Sequence, residues 1–261
     1  MAPRLSVIII TRDEAANIAS CLESCAFADE WVVVDSGSAD DTVAIARGLG
    51  ATVSVRTDWE GFGVQKNRAL EMASGDWVLA LDADERVTDD LKRQITAAIA
   101  DSRYDGYVLR TETCFYGFPV RRSEFYANTS SIRLFKRALG RFRPVLVHES
   151  IELASVRVGR LTAPLLHLSF VHPDAYLRKV NQYSALQAQM LFDQGRRSGY
   201  ASALMRSAAA FIKSYVVRWG FLDGRAGFMV AVLAAELTYH KYFRLMLLTR
   251  ADSGLRVGGA T

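Results

Sequence analysis

Only three cysteines occur in 261 residues, Cys21, Cys25 and Cys114, and they form neither a CxxC pair nor a zinc-ligand spacing. Cys21 and Cys25 stand four apart, on one face of a helix, and read as small core residues in a reducing compartment. Long apolar runs are also missing. No stretch reaches the ~18 uninterrupted apolar residues that a membrane span needs. The longest candidate, Phe228 to Ala235, is broken by Glu236. The opening MAPRLSVIIITRDE meets charge too soon for a signal peptide and reads as a buried strand, so a cytoplasmic location is expected. Glycine-rich phosphate loops are absent too: there is no GxGxxG after the first apolar run and no GxxxxGK[ST]. That disfavours dinucleotide-dependent dehydrogenases and P-loop NTPases.

What is present suits a globular chain able to bury a sizeable core, with 50% hydrophobic and 23% charged residues. The net charge of +4 conceals an asymmetry. Residues 1–100 carry 9 Lys/Arg against 17 Asp/Glu, whereas residues 101–261 carry 23 against 11. An acidic half joined to a basic half suggests one region for metal or polar sugar and another for an anionic partner.

The first hundred residues alternate apolar runs with helical patterns. LSVIII (5–10), WVVVD ending at Asp35, residues 51–55 and WVLAL before Asp82 read as buried strands. Helices are expected over about 15–26, 41–49 and 64–73. This order implies a doubly wound, mainly parallel α/β sheet, whose ligands collect at the carboxyl ends of the strands. Three strands end in Thr11–Glu14, Asp35–Ser36 and Asp82–Glu85, so that edge is dense in carboxylates and hydroxyls. After residue 105, Tyr107–Thr113, Ile132–Lys136 and Ile151–Val158 read as further strands. Helices are expected over about 173–193 and 200–248.

Asp82–Ala83–Asp84 places two carboxylates at a strand end, the oxygen ligands that Mg²⁺ and Mn²⁺ prefer. An ion there can offset charge building on a diphosphate leaving group. The segments LSVIIITRDEAANI, VVVDSGSADDT and GFGVQKNRALEMASGDWVLALDADE together resemble the nucleotide-binding half of glycosyltransferase family 2. That resemblance implies a GT-A fold, a nucleotide-diphosphate sugar donor such as a UDP-sugar, a divalent cation and inversion at the anomeric carbon. It places Thr11 and Glu14 beside the base and ribose, and Asp35 on uracil or ribose. It directs Lys66 and Asn67 at the diphosphate or sugar, Asp82 at ribose or sugar hydroxyls, and makes Asp84 the principal metal ligand. Asp82 is a second candidate ligand. Many members have two consecutive acids at the second strand end, whereas this chain has Asp35–Ser36. His167, in LLHLSF, reads either as a core histidine or as a further metal ligand.

SIRLFKR, GRFRPVLVHESIEL, LLHLSF and GFLDGRAGFMVAVLAAELTYHKYFRL resemble the bacterial lipopolysaccharide inner-core transferases, similar to a β-1,4-glucosyltransferase acting on a core heptose. Glucose is the sugar this implies. Inverting transfer needs a base for the acceptor hydroxyl. Glu149 is the first candidate, His148 a base or positioning group, and Glu112 a weaker choice. Arg121, Arg122, Arg133, Lys136, Arg137, Arg141 and Arg143 bracket the expected acceptor region, and Arg recognises phosphate bidentately, so an anionic glycolipid fits. Nucleic acid is not expected, since no motif for it is present. A GT-A catalytic domain is expected over 1–170, with 1–100 for the donor and 101–170 for the acceptor, followed by a helical extension over 171–261. Basic and aromatic residues in that extension suggest peripheral attachment to the inner face of the cytoplasmic membrane. Other readings are a family 2 enzyme acting on polyprenyl phosphate, capsule precursor or polypeptide, a sugar nucleotidyltransferase, or a non-catalytic binding module.

Overall fold

The computed structural model describes residues 3–101, 103–115, 117–122, 130–143, 151–154, 157–169 and 173–252. The chain divides into two compact units, residues 1–112 with 128–167 and residues 113–127 with 168–261.

In the first unit, four strands form the parallel half of the sheet: β1 (Leu5–Thr11), β2 (Glu30–Asp35), β3 (Thr52–Val55) and β4 (Trp77–Asp82). Between them run α1 (Ile18–Ser24), α2 (Thr42–Gly48) and α3 (Phe62–Met72). The short β5 (Glu85–Val87) follows β4 and leads into α4 (Asp89–Ala100). Along the chain, across both units, there follow β6 (Gly106–Phe115), β7 (Phe118–Val120), β8 (Ser130–Lys136), β9 (Gly140–Phe142), β10 (Ile151–Leu153) and β11 (Val158–Ser169). The strand order is β3-β2-β1-β4-β8-β6-β11-β5, with β8 antiparallel to both β4 and β6. The mainly parallel α/β sheet expected from the alternation is therefore present. The run expected as a strand over 151–158 is instead two, β10 and β11, because β10 leaves the main sheet to pair with β9.

The apolar runs are continuous because β1 and β4 are covered on both faces. Leu5, Val7 and Ile9 face α1 and α4, packing with Ile18, Leu22, Leu91 and Ile95. Ile8 and Ile10 face the other way, toward Ala69 and Leu70 of α3 and toward Phe135 and Phe142. Cys21 and Cys25 lie in the first of these cores, and burial pushes the Cys25 thiol up to about 12. Thr88 caps α4, its side chain accepting from the Leu91 amide at 3.2 Å, and Asp89 and Asp90 occupy the favourable first turn.

In the second unit, β7 pairs with the end of β6, and Phe115 and Val120 pack on Ala226 and Val230. The helices are α5 (Pro173–Asp193), α6 (Tyr200–Ile212) and α7 (Gly224–Asp252), close to their expected limits. Between α6 and α7 the chain makes a π-turn over Lys213–Val217 and a 3₁₀ turn over Gly220–Asp223, where one helical region had been expected. Among the described residues no helix is long and apolar enough to cross a membrane.

Gly75, between α3 and β4, is pressed against the start of β1, and its amide donates to Ser6 Oγ at 2.8 Å. A Cβ there would lie 2.8 Å from the Ser6 backbone nitrogen and 2.9 Å from the Arg4 carbonyl oxygen. Gly75→Ala is expected to lower stability by about 1–3 kcal/mol, read from urea unfolding; an unchanged midpoint would contradict this packing.

Candidate active site

The loops leaving β1 and β2 are sewn together by side-chain to backbone hydrogen bonds. The Asp13 amide donates to Ser38 Oγ at 2.8 Å, and Asp13 Oδ1 accepts from the Ala39 amide at 2.7 Å. The amides of Glu14 and Ala15 donate to Thr42 Oγ1 and Asp40 Oδ2, at 2.8 and 3.0 Å. Asp13 holds a left-handed backbone (φ 56°), a conformation that Asp tolerates and these bonds maintain. Asp35 is wholly buried beneath the pair of loops. Its Oδ1 accepts the amides of Gly37 and Ser38 at 2.9 and 2.8 Å, and its Oδ2 accepts the hydroxyls of Thr11, at 2.9 Å, and Ser38. In this arrangement Asp35 and Thr11 shape the loops. Glu14 Oε2 accepts from Asn17 Nδ2 at 2.8 Å at the mouth of α1.

At the end of β4 the carboxylates sort by partner. Asp82 Oδ1 lies 2.9 Å from Lys66 Nζ, and Oδ2 lies 3.4 Å from both terminal nitrogens of Arg133 on β8. Burial pushes the Asp82 carboxyl up, but Lys66 and then Arg133 outweigh it and hold it well below the usual carboxylate range. Glu85, 2% exposed, accepts the Asp82 amide at 2.9 Å and pairs with Arg133 at 3.1 Å. Burial, opposed by Arg133 and reinforced by Asp82, pushes its carboxyl up to about 7. Asp84 points elsewhere: its Oδ2 is 2.9 Å from Nε2 of His167, a residue that stands opposite Glu85 in the β11–β5 ladder. Burial pushes the His167 imidazole down, but the bond to Asp84 and its charge outweigh that and raise it.

The three-ligand set Asp82–Asp84–His167 is therefore not assembled, because both Asp82 oxygens are turned to Lys66 and Arg133. Among the described residues no group of three or more His, Cys, Asp or Glu is placed to hold a metal. Asp84 and His167 still offer an oxygen and an imidazole side by side, 31% and 36% exposed at the side chain. Two such donors suit Mg²⁺ or Mn²⁺ when phosphate oxygens and water complete the shell.

Asn67, expected at the diphosphate or sugar, gives its amide to the backbone of Phe142: Nδ2 donates to the carbonyl and Oδ1 accepts the amide, each at 2.9 Å. Glu112 is buried on β6 with Arg110 at 3.1 Å. Glu149 and His148 lie outside the described residues. Four residues of the site were not anticipated in these places. Gln65, wholly buried, bonds Ser36 Oγ at 3.0 Å and the Arg56 carbonyl at 3.2 Å. Arg86 ties the acidic turn to α1 through the carbonyls of Ala83 and Asn17 at 2.9 and 3.0 Å and Ser20 Oγ at 2.6 Å. Glu85 and Arg133 complete the cluster. Glu85 and Arg86 adjoin the triplet in DADER, whereas Arg133 read only as part of a basic stretch.

A mainly parallel α/β sheet with a hydroxyl- and carboxylate-lined carboxyl edge places polar groups where such sheets bind their ligands. Residues 6–157, more than half of the chain, match the model of glycosyl transferase family 2. A lipopolysaccharide core biosynthesis glycosyltransferase of Rhizobium meliloti, LpsC, is 30% identical over 93% of this chain and 95% of its own. An uncharacterized glycosyltransferase of Rickettsia typhi is likewise 30% identical, over 93% of this chain and 85% of its own. Among solved structures, S. aureus TarS (residues 1–349) in complex with UDP superposes with a TM-score of 0.50 at 18% identity, covering 98% of this chain and 93% of that one, and so shares the fold. The chain belongs to glycosyltransferase family 2, and its fold is the expected GT-A arrangement.

Arg133 is mostly buried and serves two acids, so Arg133→Met leaves the buried Glu85 without its cation and Asp82 with Lys66 alone. The expected loss is about 3 kcal/mol, read from chemical denaturation. Arg133→Met/Glu85→Gln should recover part of it, because the double variant removes the stranded Glu85 charge. Equal stability of the two variants would place the cost outside this cluster.

Proposed function

We propose that this glycosyltransferase inverts the anomeric centre while moving a sugar, glucose first among candidates, from a UDP-sugar to an anionic inner-core glycolipid of lipopolysaccharide. The observation that carries the reading is the sorting of charge at the end of β4. Lys66 and Arg133 are committed to Asp82, and Asp84 stands beside His167. The printed role of the R. meliloti relative supports the acceptor class.

In this reading the sewn loops of β1 and β2 receive the base and ribose, with Asp35 and Thr11 acting beneath them as positioning residues. Lys66 would share its charge between the diphosphate and Asp82, and Arg133 keeps Asp82 ionised and oriented. Asp84 and His167 would hold the Mg²⁺ or Mn²⁺, whose chemistry is to offset charge on the departing diphosphate. Glu149 is the proposed base for the acceptor hydroxyl, with His148 beside it in sequence as a positioning group. Attachment to the inner face of the cytoplasmic membrane would bring the transferase to its lipid-borne acceptor.

The test is a donor screen with truncated core acceptor, with Mg²⁺ or Mn²⁺ and with EDTA. Asp84→Ala is expected to lower kcat by roughly a hundredfold or more, since a metal at a leaving group supplies several kcal/mol. Activity indifferent to both EDTA and Asp84→Ala would overturn the metal. Glu149→Gln should abolish turnover while leaving UDP affinity unchanged; full activity in that variant would move the base elsewhere.

A further inference from the structure

The corner between α6 and α7 is built against the usual rule for a water-soluble surface. Within eleven residues, Ile212, Val216, Val217, Trp219, Phe221 and Leu222 all stand exposed, Val217 at 64% and Trp219 at 57%. Their neighbours make the patch continuous. Trp219 stacks on Phe221 with ring centroids 6.0 Å apart, Phe221 meets Tyr215 at 6.3 Å, and Tyr215 meets the half-exposed Phe228 at 5.8 Å. Clustered exposed apolar groups of this kind mark interaction sites.

The corner is also rigid. Trp219 is held at φ 61°, a left-handed conformation costly for a bulky residue. A Cβ on Gly220 would lie 2.6 Å from the Ser214 carbonyl oxygen, and one on Gly227 only 1.7 Å from that of Gly220. The π-turn and the 3₁₀ turn are thus closed down on each other and present the apolar side chains in a fixed array.

Charge selects the occupant. Residues 200–228 hold four Lys/Arg (Arg206, Lys213, Arg218 and Arg225) against one acid, Asp223. Asp223 Oδ2 is turned onto the amides of Arg121 and Arg122, at 3.0 and 2.9 Å, which fixes two further arginines at the same corner. Aromatic rings amid basic side chains match the depth profile of an anionic bilayer surface, where rings sit at headgroup level and cations meet lipid phosphates.

We infer that the α6–α7 corner is a membrane-insertion wedge, with Trp219, Phe221 and Leu222 entering the interface of an anionic bilayer and Lys213, Arg225, Arg121 and Arg122 meeting its headgroups. This rests on the membrane attachment included in the proposed function and names the segment that accomplishes it.

The full chain is tested by co-sedimentation with phosphatidylcholine vesicles with and without phosphatidylglycerol, at low salt. The wild type is expected on the anionic vesicles, and Trp219→Ser/Leu222→Ser should partition about tenfold more weakly, from the lost apolar burial. Lys213→Gln/Arg225→Gln should lose about fivefold per charge on anionic vesicles alone. Helical content by circular dichroism, to which α5, α6 and α7 contribute most, and the urea-unfolding midpoint check that each variant folds. Undiminished vesicle binding by both folded variants would overturn the wedge and leave the attachment reading standing. Failure of the wild type to bind any vesicle would overturn both. A wild-type dimer that Trp219→Ser/Leu222→Ser dissociates, without vesicle binding, would instead assign the corner to a second copy of the chain.

Discussion

The pairing of Asp82 with Lys66 and Arg133 is the contact on which the rest of the first unit depends. A parallel sheet delivers its strand ends to one edge, and here β1, β2 and β4 each deliver acid or hydroxyl groups to it. Crowded carboxylates in a half-buried setting repel one another unless cations come in from other elements. Lys66 comes from α3 and Arg133 from β8, so the same bonds that neutralise Asp82 dock a helix and an antiparallel strand against β4. Asn67 continues that docking one residue along, by clasping the Phe142 backbone of β9. The residues that hold this edge together and those that would meet a substrate are therefore interleaved along the chain.

The order in the loops that leave β1 and β2 has a different origin. Short polar side chains in two loops satisfy one another's amides, Asp13 with Ser38 and Ala39, Glu14 with Thr42, and Asp40 with Ala15. Asp35 lies beneath, and its four hydrogen bonds all come from β1 and its own loop. Such a network costs little when fully satisfied and holds the loop backbone in one conformation, which preorganises a site before a ligand arrives.

The strands and most helices were legible because their signals are local: β-branched runs buried on both faces, glycine after a helix, threonine and aspartates at the head of α4. The three strand-end clusters were legible for the same reason. What sequence could not convey was the partner of each side chain. Arg133 read as one of seven cations around an acceptor, and only the register of β8 against β4 reveals that it belongs to Asp82 and Glu85. Asn67 read as a substrate contact, because nothing near it in sequence announces Phe142 75 residues away. The π-turn at Lys213–Val217 was equally hidden, since its composition continues that of the helix before it.

This sorting also changes what the basic half of the chain does. Its net charge looked like one attractive field, yet much of it is engaged inside the first unit. Lys136 and Arg157 pair with the buried Asp105, each at 2.8 Å, Arg137 donates to the Gly75 carbonyl at 2.9 Å, and Arg143 pairs with Glu152 at 2.7 Å. Charges so engaged hold strands together and contribute little at a distance, because screening confines surface fields to about 10 Å. An anionic partner would then be met at close range by cations set beside apolar groups, so that contact energy and charge act together. The α6–α7 corner has that composition, with Lys213, Arg218 and Arg225 set among the exposed Trp219, Phe221 and Leu222, so any pull it exerts on an anionic surface would act at contact range.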